Sequence, residues 1–288
     1  MLSPTLSMTL SKGSPGASVV KAIVFDVEFM WGFQARVSGQ SKSPPSYPFP
    51  PLTTVLGALA MAYGRRTRRG EDSGVELMRE LSRDLLALSF KPLNTLPLHF
   101  VDVSRVFAIG GRGGIRYPDP RDVYVYKSFD APGRGSTILG SLDGEPPRVR
   151  YVLVLKDSSP LTLDDAWSIR RLGSRESLVC VTLAEEVPVR VTPKGETFST
   201  SYATPLLEGI RVVEHGTVLR ESCVSPYRLS TAPSVAYSAG ESVLQLLIPL
   251  PHPNFKGWLE VKVESESYAV YEVQEPGSGS DRVVGLAG

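Results

Sequence analysis

Between Val19 and Trp31 the side chains alternate. Ile23, Phe25, Val27 and Phe29 fall on one side of an extended chain, and Ala22, Val24, Asp26 and Glu28 on the other. That pattern predicts a strand. The period changes after a proline-rich approach, Ser46 to Pro51. Pro48, Pro50 and Pro51 cannot propagate a helix, but Pro51 suits a first helical turn. Leu52, Val55, Leu56, Leu59 and Tyr63 then recur at helical spacing. Gly57, about 1 kcal/mol worse than Ala in mid-helix, is expected to admit a close neighbour.

A second helix is expected from about Asp72 to Leu88, with Val75, Met78, Leu81, Leu85 and Leu88 on one stripe. Pro97 to Ile109 and Val149 to Lys156 read as strands. Thr162-Leu163-Asp164-Asp165 fits a capping box with Thr162 at the N-cap and Asp165 at N3. The helix it opens carries Ala166, Trp167 and Ile169 and is expected to run to Gly173, a natural left-handed cap. Leu178 to Val187 is the next strand.

The order is strand, helix, second helix, strand, excursion, strand, helix, strand. This is the βαββαβ ferredoxin-like (RRM-type) arrangement of an α+β protein, enlarged by an insertion between its second and third strands. After Pro188 the chain turns β-rich. Val189 to Val191, Ile210 to Val213, Val243 to Ile248 and Leu259 to Val263 read as short strands, Thr217 to Leu219 and Tyr268 to Val273 less clearly. The expected organisation is a flexible tail over 1–18, a ferredoxin-like domain over 19–187 with its insertion at about 110–140, a β-rich lobe over 188–274, and a flexible tail over 275–288.

Composition narrows the function classes only a little. A net charge of +1 carries no global nucleic-acid signal, so any such signal must be local. Cys180, in an apolar run, reads as a buried structural thiol. With distant Cys223 it forms no disulfide framework, which points to a reducing cytoplasm. His99, His215 and His252 stand alone, so neither a His-based metal site nor a cofactor is expected. No apolar stretch is long enough to span a membrane.

The first strand argues against one mode of RNA binding. A sheet that stacks bases presents aromatics on its open face, whereas this one would present Asp26 and Glu28, which repel phosphate. The glycine run Gly110-Gly111-Arg112-Gly113-Gly114 is not a nucleotide-binding loop: the spacing is wrong, and Pro118 and Pro120 preclude the phosphate-capping helix.

The excursion itself has different chemistry. Ile115 to Tyr117 and Val123 to Phe129 read as extended, with Asp130 to Gly135 as a flexible tip or return. Arg105, Arg112, Arg116, Arg121, Lys127 and Arg134 outnumber Asp119, Asp122 and Asp130, and Tyr117, Tyr124, Tyr126 and Phe129 are interleaved. Basic residues track a phosphate backbone while aromatic faces stack bases, at about 1–3 kcal/mol each. The competing reading is a hairpin whose tyrosines pack on the body. The Gly64 to Gly70 turn, with Arg65, Arg66, Arg68 and Arg69, either steers a polyanion or is a solvated helix end. The turn at Gly173-Ser174 either points N–H groups at an anion beside Arg170, Arg171 and Arg175 or is an ordinary cap.

Three segments together carry a family resemblance: Tyr47-Pro-Phe-Pro-Pro-Leu-Thr-Thr-Val-Leu-Gly-Ala-Leu-Ala, the long basic insertion, and Arg171-Leu-Gly-Ser-Arg-Glu-Ser-Leu-Val. They resemble the CRISPR-associated RAMP superfamily, and within it the fifth-numbered Cas family, the Cascade subunit that caps the 5′ end of the guide RNA. The archaeal type I-A subtype looks most similar. The resemblance covers roughly 20–187.

It implies a ferredoxin-like domain with a β-hairpin thumb, which together hold the 5′ handle of CRISPR RNA beside the backbone and large subunits. By position the thumb spans about 110–140, and the superfamily's glycine-rich loop matches Leu172 to Ser177, though Gly173-Ser174-Arg175 is poorer in glycine than is usual. The RNA-binding residues implied are Arg112, Arg116, Tyr117, Tyr124, Tyr126, Lys127, Arg134, Arg171, Gly173, Ser174 and Arg175. Some relatives cut repeat RNA, which needs a general base and a group at the leaving oxygen. No such set is recognisable here, so a non-catalytic subunit is expected, with metal-independent repeat cleavage as the alternative. A β-rich interaction module with no RNA role is the third reading.

Overall fold

The computed structural model describes residues 20–37, 44–109, 126–240, 242–277 and 279–288, with backbone alone for 71, 101–109 and 126–134. The first half holds β1 (Val20–Phe29), β2 (Gly32–Phe33), α1 (Leu52–Arg66), α2 (Gly74–Arg83), β3 (Leu85–Pro92), β4 (Thr95–Ile109), β5 (Tyr126–Ser141), β6 (Arg148–Lys156), α3 (Leu163–Trp167) and β7 (Val179–Val187). β8 (Val189–Thr192), β9 (Thr197–Thr200), β10 (Thr204–Leu206), β11 (Ile210–His215) and β12 (Val218–Val224) follow. The chain ends with α4 (Pro233–Ser238), β13 (Val243–Pro249), β14 (Leu259–Val263), β15 (Tyr268–Gln274) and β16 (Ser280–Leu286).

The central sheet runs β3-β6-β1-β7, with antiparallel neighbours throughout. Ile23, Phe25, Val27 and Phe29 pack with Leu52, Val55, Leu56 and Leu59 of α1 and with Leu77 and Leu81 of α2. The opposite face, expected to be open, is covered. Ala22, Val24, Val152 and Val154 form a second core with Tyr271, Val273 and Val283 from the sheet β16-β15-β8. Asp26 does not face solvent either, because the Arg150 guanidinium clamps its carboxylate through two hydrogen bonds of 2.6 and 2.8 Å.

Several expectations are corrected. The second helix ends at Arg83, and Leu85 and Leu88 belong to β3, which is buried along its whole length. A strand covered on both faces reads as a continuous apolar run, and Leu85-Leu86-Ala87-Leu88 also matches helical spacing. The second strand of the sheet is therefore β3, while the strand expected at Pro97 to Ile109 is one limb of a hairpin arm. β4 pairs with β5 from Thr95↔Ser141 to Ile109↔Tyr126. The Asp130 to Gly135 segment, expected as a tip, lies within β5 beside a register shift at Val101/Val103.

At the other corrected positions, Pro51 is the N-cap of α1, one residue earlier than a first-turn proline. A Cβ on Gly57 would meet Met78 at ordinary contact distance, whereas one on Gly64 would come within 2.9 Å of Leu77. α3 stops at Trp167, so Gly173 is not its cap. Cys180 is half-buried and Cys223 buried. Within the stretch expected as a tail from 275, β16 pairs with β15 over its full length.

The two halves are joined by a buried charge cluster. Lys91 Nζ lies 2.5 Å from Glu275 and 3.4 Å from Asp281. The Tyr202 hydroxyl donates to Glu275 at 2.6 Å, and the Lys91 ammonium sits 4.6 Å from the centre of the Tyr202 ring. No helix among the described residues is long and apolar enough to cross a membrane.

Candidate nucleic-acid interface

The arm is rooted in the body by its last residues. Gly32 and Phe33 of β2 pair with Ile138 and Thr137 of β5. The Thr137 hydroxyl donates to the Tyr47 carbonyl at 2.5 Å, and the Leu139 N–H to the Trp31 carbonyl at 3.2 Å. Gly32 has a φ of +152°, and a Cβ there would collide with the Thr137 carbonyl oxygen, so only glycine lets β2 approach β5. A fifteen-residue strand such as β4 reaches roughly 50 Å. Such a limb extends well beyond its root.

Of the residues expected to touch RNA, Arg112, Arg116, Tyr117 and Tyr124 lie outside the described residues. Tyr126 and Lys127 pair with Ile109 and Ala108 at the far end of the described arm, and Arg134 lies on β5 near the register shift. The remaining four sit together in the loop between α3 and β7, at the arm's root. Arg171 forms a bridge with Leu178, and Arg175 is exposed.

Gly173 has a φ of +126°, and a Cβ there would fall 2.5 Å from the Gln34 carbonyl oxygen. Its neighbour Ser174 donates its N–H to that same oxygen at 2.9 Å. The N–H groups of Leu172 and Ser177 donate to Ser177 and Ser174 carbonyls, both at 3.1 Å. Three of the turn's N–H groups, those of Leu172, Ser174 and Ser177, are thus engaged within the loop and with Gln34.

Gln34 is the residue that sequence reasoning missed. Its backbone N–H donates to Ser177 Oγ at 2.9 Å and its side-chain amide to Ser136 Oγ at 2.7 Å. It therefore fastens the loop to the arm two residues from Arg134. A neutral side chain in no motif gives no signal in the sequence.

The arginine turn after α1 divides in two. Arg66 makes a bidentate pair with buried Asp165 at 2.9 and 2.8 Å, and the same carboxylate accepts the Thr162 N–H at 2.9 Å, as the capping box predicts. Arg69 pairs with Glu80 at 2.6 Å. Arg65 and Arg68 are exposed without ion-pair partners among the described residues.

Beyond Tyr47 lies a small set of buried ionisable groups. Burial, followed by Tyr237, Cys223 and Glu221, pushes the Tyr47 phenol upward. Burial likewise raises the Glu221 carboxyl from 4.5 to about 7, against a hydrogen bond from the Ser222 N–H. A carboxyl with a raised folded pKa binds more protons folded than unfolded, so its effect is to lower stability as pH rises from 4.5 to about 7. Glu221→Gln should raise the melting temperature at pH 8 and leave it unchanged at pH 4. The gain is about 1–2 kcal/mol after allowing for partial solvation, measured by thermal denaturation across that range.

The comparisons with known proteins bear on most of the chain. Residues 22–106 match the family model described as CRISPR-associated protein (Cas_Cas5). The curated CRISPR-associated protein Cas5 2 of Saccharolobus solfataricus is 26% identical over 260 residues, 88% of this chain and 92% of that protein. A crystal structure of a CRISPR protein from Archaeoglobus fulgidus is 32% identical, with a TM-score of 0.67, covering 93% of this chain and 100% of that one. On the sequence match and the shared fold together, the chain belongs to the CRISPR-associated Cas5 family.

Proposed function

We propose that the protein is a non-catalytic, cytoplasmic CRISPR RNA-binding subunit of an archaeal type I-A Cascade surveillance complex, capping the 5′ handle of the guide RNA beside the backbone and large subunits. The observation that carries the reading is the long β4–β5 arm fastened through Gln34 to the Gly173 loop. Two sets of residues far apart in sequence meet at one root. We read the body as ferredoxin-like, supported by the order β3-β6-β1-β7 with helices in both crossovers.

The arm supplies cations and tyrosines for a ribonucleotide chain. Near its root Leu98 and Ile138, cross-strand partners, and Phe100 are exposed, an apolar surface suited to a neighbouring subunit. His99, His215 and His252 fall on β4, at the end of β11, and in a loop against Phe255. Among the described residues they form no acid–base pair with one another.

The test is anisotropy with labelled 5′-handle RNA across a salt series. Changing Arg112, Arg116 and Arg134 together to Ala should weaken binding and lower the salt slope by about 1 for each phosphate no longer neutralised. An unaltered slope would favour an interaction module without an RNA role. Incubation with repeat RNA in EDTA tests the other half: cleavage at a single phosphate makes the protein a nuclease.

A further inference from the structure

The buried charge cluster that joins the two halves borders a cavity of about 70 Å³. Its lining comes from separate stretches of the chain: Lys91 on β3, Arg150 on β6, Ser201 after β9, Lys256 and Gly257 before β14, and Glu275 after β15. The space is far below the ~300 Å³ at which organic ligands begin to fit, but ample for one small ion with its water. Lys256 is brought there by a closed turn. His252 and Phe255 exchange backbone hydrogen bonds of 2.9 and 3.2 Å and stack their rings 4.4 Å apart. At Gly257 a Cβ would come within 2.7 Å of the Pro249 backbone, so glycine lets the turn close against the end of β13.

Every carboxylate of the cluster is already served. Asp26 takes the Nε and Nη2 edge of Arg150. Glu275 takes the Lys91 ammonium and the Tyr202 hydroxyl. Asp281 takes Lys91 at 3.4 Å and the N–H groups of Ser201 and Arg282 at 3.3 and 2.7 Å. What is left over lies on the donor side. Arg150 is 9% exposed, yet its Nη1 makes no hydrogen bond among the described residues. The Glu275 carboxylate, 3.9 Å from it, is beyond hydrogen-bond reach. The Lys256 ammonium and the Ser201 hydroxyl also have no partner among the described residues.

A guanidinium edge buried without an acceptor is costly, and the cavity wall carries three cations against one carboxylate. Surplus donors with no surplus acceptor select an anion, and the volume selects a small one. We propose that this cavity binds a single chloride ion, held by Arg150 Nη1, Lys256 and Ser201. The ion would tie the β-rich lobe to the second face of the central sheet through groups that the Lys91 cluster leaves unused. The site is too small for a nucleotide and stands apart from the RNA-binding reading above.

The test is thermal denaturation of the full chain at fixed ionic strength, with potassium gluconate replaced stepwise by potassium chloride. Chloride at tenfold excess over its Kd should raise Tm by roughly 3 °C. Lys256→Gln, at an exposed position that does not threaten folding, takes a charge from the cavity wall. A site weakened tenfold leaves a shift of roughly 1 °C at the same chloride concentration. Ser201→Ala should also reduce the shift. Lys262→Gln, which removes a lysine paired with Glu264 elsewhere in the lobe, should keep it whole.

Bromide, which scatters anomalously, gives a second measurement: crystals soaked in it should show a peak in the cavity against Arg150 Nη1. Equal melting temperatures in chloride and gluconate overturn the site. So does a full chloride shift in Lys256→Gln, or a bromide-soaked crystal with no peak in the cavity. Each of these outcomes leaves the behaviour of the arm with handle RNA untouched.

Discussion

A chain ending at Gly279 is expected to lose its cooperative fold. The residues removed include β16, which pairs with β15 from Ser280↔Gln274 to Leu286↔Tyr268. Val283 and Val284 are 1% and 2% exposed, one packed in the core beneath the central sheet and the other in the core of the β-rich lobe. Each is worth about 1.5–3 kcal/mol of burial. The Thr200 hydroxyl loses the Arg282 carbonyl at 2.6 Å, the Tyr271 hydroxyl loses the Leu286 carbonyl at 2.6 Å, and Lys91 loses Asp281. The cut also bares β15 as a new hydrophobic edge. Together these losses reach the whole stability of an ordinary domain, about 5–15 kcal/mol. Circular dichroism melts and recovery of soluble protein measure the effect; a truncated chain that melts within a few degrees of the full one would remove β16 from the account of the fold.

That strand was not legible because of what precedes it. The residues from 275 onward were expected as a flexible tail, whereas Pro276, Gly277 and Gly279 lie between β15 and β16, with both glycines at positive φ. Only Val283-Val284 hinted at burial beyond it, and two residues carry no period. The strands β1, β6 and β7 and the helix α1 were legible because each keeps one period over its length, and the Thr162 box because its chemistry is local. The arm was legible as an excursion, a long hairpin, but not with Asp130 to Gly135 inside one of its limbs. Pro132 and Gly133 argue for a turn anywhere except beside a bulge, and Pro132 pairs with Val103 at the register shift. At the candidate site the glycine at 173 was found, but for the wrong reason: it admits Gln34 and does not end a helix. The burial of Asp26 depended on Arg150 and on a lobe more than two hundred residues away, which no local pattern encodes.

The Lys91 cluster gives the second large effect. Lys91→Met should destabilise the protein by about 3–5 kcal/mol, the cost of leaving buried charge without its counterion. Burial alone would raise the Glu275 carboxyl; the charge and hydrogen bond of the Lys91 ammonium, with Tyr202 and Arg150, bring it below its ordinary value of 4.5. A depressed carboxyl contributes stability above its unfolded pKa and loses it as pH falls through the folded one. In Lys91→Met the ammonium is gone and burial dominates, so protonation relieves the variant instead of harming it. The gap between wild type and variant should be widest near pH 7 and close as pH falls below 4.5. Adding Glu275→Gln to Lys91→Met should recover much of the loss near pH 7, because the pair is removed rather than broken. Chemical denaturation of the two variants at pH 7 and pH 4 decides it. A pH-independent loss that Glu275→Gln fails to repair would mean that Lys91 contributes through its methylene packing and its contact with the Tyr202 ring, not through charge.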